Sequence, residues 1–136
     1  MKSSDLFTRP AANAGRRVDI PGPDGKPTGE WMTIRHVDCD DFRKKRAEIL
    51  ASAAMLPADT PAAERQRLRE SMHRDLLATL VTGWSLEDEF SRDNLMALLE
   101  NAPYLADWID RTSENASLFF GSSSTGLSSI AEPKQP

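Results

Sequence analysis

With 136 residues, 28% of them charged and 39% hydrophobic, the chain has the length of one soluble domain, part of which never joins a core. A single cysteine excludes a disulfide framework and a Cys-rich zinc site, and apolar runs of only a few residues exclude a membrane span. The net charge of −4 is uneven: residues 1–82 hold 14 basic and 12 acidic side chains, residues 83–136 hold 3 and 9, so phosphate would be repelled by the C-terminal half.

Residues 1–15 read as a flexible, irregular arm with Pro10, Asn13 and Gly15 and no sustained period, and the opening MKSSDLFTRP lacks the apolar stretch of a secretory signal, so the cytoplasm is expected. Residues 16–37 read as a β-hairpin. Arg17-Val18-Asp19-Ile20 alternates polar and apolar, the turn cluster Pro21 to Gly29 contains Pro23-Asp24-Gly25, and Glu30 to Val37 is rich in β-branched and aromatic residues. Both faces of the return strand, Trp31/Thr33/Arg35/Val37 and Met32/Ile34/His36, carry apolar groups. A two-stranded hairpin is marginal alone, so it must lie on helices or add to another strand.

Four helices are predicted next. The first starts near Asp40, where Asp38, Asp40 and Asp41 favour a helix N-terminus, places Phe42, Ile49, Leu50 and Ala53 on one face, and ends at Pro57. The second begins at Thr60-Pro61 and carries a stripe of Leu68, Met72, Leu76 and Leu80, with Leu77, Val81 and Trp84 beside it, up to Gly83. The third is capped by Ser91, has Leu95, Leu98 and Leu99 as its apolar side, and ends before Pro103. The fourth runs from Pro103 to about Phe119 with Leu105, Trp108, Ile109, Thr112, Ala116 and Phe119 at helical spacing. Residues 121–136 are Ser/Gly/Pro-rich and read as a disordered tail. The expected fold is therefore mainly α: a small domain over residues 16–120 of about four helices with an N-terminal β-hairpin.

No catalytic constellation emerges. His36, Cys39, Asp38, Asp40 and Asp41 lie close enough to suggest metal ligands, but no second Cys or His pair supports them, and helix capping is the favoured reading. His73 has no carboxylate–nucleophile pair to work with, and Glu87, Asp88, Glu89 and Asp93 lack the alternation and glycine of a calcium loop. No phosphate loop follows Gly15, Gly22, Gly25 or Gly29. No metal, cofactor or enzymatic activity is expected. Arg43-Lys44-Lys45-Arg46 reads as a solvated helix face that also offers a docking patch for an acidic partner, and Trp31, Trp84 and Trp108 read as core or boundary anchors, any exposed one being a binding hot spot. Such a module acts by binding.

Two segments, Val18–Glu48 and Leu76–Phe120, carry a resemblance. Gly83-Trp84 follows a helix, an acidic and aromatic stretch leads to Phe90-Ser91, a Ser-capped helix holds Asn94, Leu98 and Leu99, and the next helix holds Pro103, Leu105 and Ile109 before Phe119-Phe120. In this order the chain resembles, over roughly residues 4–120, the tail assembly chaperones of long-tailed bacteriophages, the lambda G-like family. The resemblance implies a non-enzymatic factor of the host cytoplasm that binds and solubilises the tape measure protein, helps recruit the tail tube protein, and is absent from the mature virion. It also implies a longer form made by ribosomal frameshifting. Apolar residues on both hairpin faces leave self-association as another way to cover the second face, and charge and apolar-run length exclude nucleic acid and membrane as partners. The expected contact surface is the hairpin's outer face around Trp31, Thr33 and Arg35 with the neighbouring basic turn Arg43, Lys44, Lys45 and Arg46. Two rivals stand beside this reading: a structural tail completion or connector adapter, and a nucleic-acid-binding regulator using Arg65, Arg67, Arg69 and Arg74.

Overall fold

A computed structural model describes residues 1–121; the expected tail lies outside the described residues, apart from Gly121. After a short 3-10 turn at Ser3–Leu6, the elements are α1 (Arg9–Ala14), β1 (Arg16–Pro21), β2 (Pro27–Ile34), α2 (Asp40–Ala54), α3 (Ala62–Ala78), β3 (Val81–Trp84), α4 (Arg92–Asn101), α5 (Pro103–Ser113) and α6 (Ala116–Phe120). The described residues are mainly helical, as expected, but form six α-helices and a three-stranded antiparallel sheet in the order β1-β2-β3.

The hairpin forms where the alternation places it. Arg17 lies opposite Thr33, Val18 opposite Met32 and Asp19 opposite Trp31. The connection turns at Gly25, which adopts φ 83°, a conformation that costs a residue with a Cβ. Strand β2 differs from the expected span: it starts at Pro27 and ends at Ile34, because the backbone of Arg35 to Val37 turns to other partners. The Arg35 N–H donates to Leu80 O (2.7 Å) and the Val37 N–H donates to Ser113 O (3.0 Å).

Three local readings are corrected by packing. Residues 9–14, expected as part of an irregular arm, form α1, whose Ala12 is fully buried; six residues make a marginal helix alone, and docking supplies what local propensity cannot. The second predicted helix ends at Ala78 rather than Gly83. Leu80 and Val81 are buried at successive positions, and Val81–Trp84 adds to the free edge of β2, pairing Val81 with Ile34, Gly83 with Thr33 and Trp84 with Met32. The unpaired donors and acceptors of that edge are the reason a strand wins over one more helical turn. The predicted fourth helix is two. The Ser113 carbonyl at the end of α5 accepts from Val37, and Asn115 starts α6 by accepting a hydrogen bond from the Leu118 N–H (3.3 Å).

The core gathers Met32 and Ile34 from the inner face of the sheet with Leu77, Leu80, Leu95, Leu99, Leu105, Ile109 and Phe119 from the helices. Leu105 is buried as its spacing predicts, whereas Trp108 is half-buried at the boundary. Tyr104 fastens α5 to the end of β1 by donating to Pro21 O (3.0 Å), and Arg92 ties α4 to α3 through Asp75 (2.7 Å). Ser91 caps α4 by accepting from the Asn94 N–H, as expected.

Candidate functional site

The strand β2 turns Met32 and Ile34 inward and Trp31 and Thr33 outward. The outward face is open at its centre: Thr33 lies opposite Gly83, where an added Cβ would meet nothing within 4 Å. Trp31 is half-buried, with the Arg17 guanidinium stacked 3.9 Å from its ring centroid. Arg35 continues this face toward α2. Its guanidinium pairs with Asp41 (2.9 Å) and donates to the Thr79 carbonyl, so one side chain joins the sheet, the first turn of α2 and the end of α3. Those two acceptors draw in the Nη2 nitrogen, and Nε is left buried without a partner among the described residues.

The four basic residues at 43–46 divide. Arg43, Lys44 and Arg46 are exposed, while Lys45 is half-buried beside Glu48 (3.4 Å). Lys44 and Lys45 share a shallow depression with Asp41 and Thr79, so the basic turn adjoins the point where Arg35 lands. Of the expected contact residues, Arg35 is committed to internal partners, Lys44 and Lys45 lie beside it, and Arg43 and Arg46 line a second depression with Asp40 and Leu50.

Helix α2 starts at Asp40 with Asp40 and Asp41 in its first turn, as expected, but none of the acids caps it. Cys39, fully buried and extended, occupies the cap position and makes no side-chain cap; Asn13 of α1 instead accepts from the Asp40 N–H (2.8 Å). The Asp40 carboxylate accepts from Arg9 (2.8 and 2.9 Å) and from Asn13 (3.2 Å). Hydrogen bonding by Arg9 above all holds the Asp40 carboxyl below the usual carboxylate range. His36 is buried against Phe119 and Phe120, with ring centroids 5.3 and 4.7 Å away, and its Nδ1 accepts from the Asp38 N–H (3.0 Å). Among the described residues, no group of three or more His, Cys, Asp or Glu side chains is placed to hold a metal. No helix there is long and apolar enough to cross a membrane.

A second surface was not singled out by sequence reasoning. Between α2 and α3 lies an open groove of about 310 Å³. Ile49, Ala53 and Leu56 form one wall, and Leu68, Met72 and Leu76 form the other. Five of the six lie on the facing sides of α2 and α3 and Leu56 follows the end of α2, yet none of them is buried. The stripe on α3 changes character along its length: Leu77 near the C-terminal end, and Leu80 just after it, enter the core, while Leu68 and Met72 are only half-buried. The signal available in the sequence was the spacing 65, 68, 69, 72, 73, 76, but spacing marks an apolar face and not what covers it. Arg65 fastens the groove's closed end, donating to the carbonyls of Pro57 (2.8 Å) and Thr60 (3.2 Å) in the connecting turn.

A small helical unit with an open sheet face, an uncovered apolar groove and a basic turn belongs to the class of protein-binding modules. The phage tail assembly chaperone family model matches residues 5–110, most of the chain, and the chain belongs to that family. No curated protein and no solved structure matches it.

Proposed function

We propose that the chain binds the tape measure protein of its phage before the tail tube encloses it, keeps it soluble in the host cytoplasm, and leaves as tail tube subunits take its place, so that it is absent from the finished virion. The observation that carries this reading is the family match over residues 5–110. The uncovered apolar surface supports it physically: a long helical client exposes apolar stripes that aggregate unless another apolar surface shields them, and reversible shielding needs a surface left open in the free protein. The net charge of −4 favours solubility of the complex.

The proposed contact surface includes the sheet's outer face at Trp31 and Thr33, with Arg35 behind them and Arg43, Lys44, Lys45 and Arg46 steering the encounter. Co-expression with the tape measure protein tests the reading: the chain should move an otherwise insoluble tape measure into the soluble fraction, and mass spectrometry of purified particles should find the chain missing. Trp31→Asp should lose solubilisation with helical circular dichroism retained, since the half-buried ring faces outward. An insoluble tape measure in the presence of the wild-type chain, or the chain recovered from finished particles, would refute the function. A Trp31→Asp variant that still solubilises would remove the sheet face from the contact surface.

A further inference from the structure

We infer that the groove between α2 and α3 receives one amphipathic helix of about three turns, whose apolar stripe is flanked by Asp and Glu. This rests on the chaperone reading only for which protein carries the helix; the chemistry of the occupant follows from the groove.

Three observations define that occupant. The first is shape. The wall on α3 runs at i, i+3, i+7 and i+11 through Arg65, Leu68, Met72 and Leu76, a length of about 16 Å at 1.5 Å per residue. Ile49 and Ala53 face it at i and i+4 on α2, and Leu56 extends this wall from the turn that follows the helix. Two helix faces that meet along one side and remain open along the other form the seat into which a third helix packs, its side chains entering the spaces between theirs. Ala53, small and exposed on the α2 wall, lets a partner backbone approach closely.

The second is charge. Among the described residues, no carboxylate lines the groove, whereas Arg65, Arg69 and His73 do. Arg65 and Arg69 bond only neutral acceptors: turn carbonyls for Arg65 and the Gln66 amide oxygen (2.6 Å) for Arg69. Neither guanidinium is paired with a carboxylate among the described residues. A helix lying in this seat meets cations along its flank, so acidic flanking residues complete the contact and basic ones oppose it.

The third disposes of a second copy of the chain as occupant. A two-fold contact through the same groove would set Arg65 and Arg69 of one copy near those of the other. The acidic helices α4 and α5 have the right charge, but Leu95, Leu99, Leu105 and Ile109 are already buried in their own core and leave no stripe to insert.

The test uses the full chain and two fluorescein-labelled synthetic peptides of about 14 residues with the same leucine stripe, one flanked by Glu and one by Lys. Fluorescence anisotropy at low salt should show the Glu-flanked peptide binding at least about tenfold tighter, with the difference shrinking as salt rises. Arg69→Glu should narrow or reverse the preference. Ala53→Glu, at an exposed helical position, and Met72→Glu should abolish binding of the Glu-flanked peptide while leaving the circular dichroism spectrum unchanged. Equal binding of the two peptides, or undiminished binding by folded Ala53→Glu, overturns the inference. So does a wild-type dimer that becomes monomeric on Met72→Glu and never binds the peptide, since the occupant is then a second copy. In the co-expression assay the two readings separate. A tape measure still solubilised by Ala53→Glu removes the groove and leaves the chaperone function, whereas peptide binding with no solubilisation by the wild-type chain keeps the groove and removes the tape measure as its client.

Discussion

Replacing Gly15 by Ala should destabilise the fold far more than the same change at Gly25, although both are turn glycines with positive φ. Gly15 links α1 to β1 at φ 75° and ψ −177°, a region that residues with a Cβ enter at a cost of about 1–3 kcal/mol. An added Cβ would also lie 2.7 Å from the Ile34 carbonyl oxygen and 3.1 Å from Arg35 Cγ. The first of these is closer than van der Waals contact and involves backbone, so α1 or the end of β2 must shift, at a cost of about 1–3 kcal/mol of overpacking. The unfolded chain returns about 0.4–1 kcal/mol of lost entropy, leaving a net loss of about 1–6 kcal/mol, centred near 3 and a large share of a small domain's stability. Gly25 has φ 83° but nothing within 4 Å of its added Cβ, so Gly25→Ala meets only the left-handed penalty, about 1–2 kcal/mol before the same entropy offset. Urea unfolding followed by circular dichroism separates the two, because a slope of about 1–3 kcal/mol per molar turns the difference into a midpoint gap of about 1 M. Equal, small shifts would refute the close packing of the α1–β1 corner against β2, and with it the docking of residues 9–14.

Phe119→Ala should cost about 3–5 kcal/mol, since the ring is buried edge-on against His36; an unchanged urea midpoint would mean that α6 is not part of the core. Asn115→Ala should cost about 1 kcal/mol by removing the acceptor for the Leu118 N–H, and hydrogen exchange at Leu118 should quicken. Asp40→Asn tests acid sensitivity. The folded-state pKa of Asp40 is depressed by Arg9, so the stability it contributes is present above the ordinary carboxylate pKa of about 3.9 and is lost as pH falls through the lower folded value. Wild type should therefore exceed Asp40→Asn modestly near neutral pH, with the gap closing as the pH falls below the ordinary carboxylate range and shrinking in high salt because the pair is exposed.

Much of the local structure is written in short-range chemistry. The alternation of Arg17 to Ile20 and the Pro23-Asp24-Gly25 turn specify a hairpin, Ser91 specifies the start of α4, and the spacing of Leu105 and Ile109 specifies which side of α5 is buried. Each of these depends on residues a few positions apart, so each survives without knowledge of the rest of the molecule. The ordered features from Val18 to Phe120 likewise sufficed to suggest the family that the match over residues 5–110 shows.

What required the tertiary structure are the features whose partners are far away in sequence. Val81–Trp84 has an apolar pattern compatible with either a helix or a strand, and only the open edge of β2, some fifty residues earlier, decides for the strand. Residues 9–14 are too few to form a stable helix by propensity, and α1 exists because Ala12 is buried in the core and Asn13 meets the N-terminus of α2. The groove is the sharpest case. Leu68, Met72 and Leu76 have the spacing of core residues, but a stripe is buried only where another element covers it. Leu77 and Leu80 are covered and fill the core, whereas Leu68 and Met72, earlier along α3, line an open apolar groove.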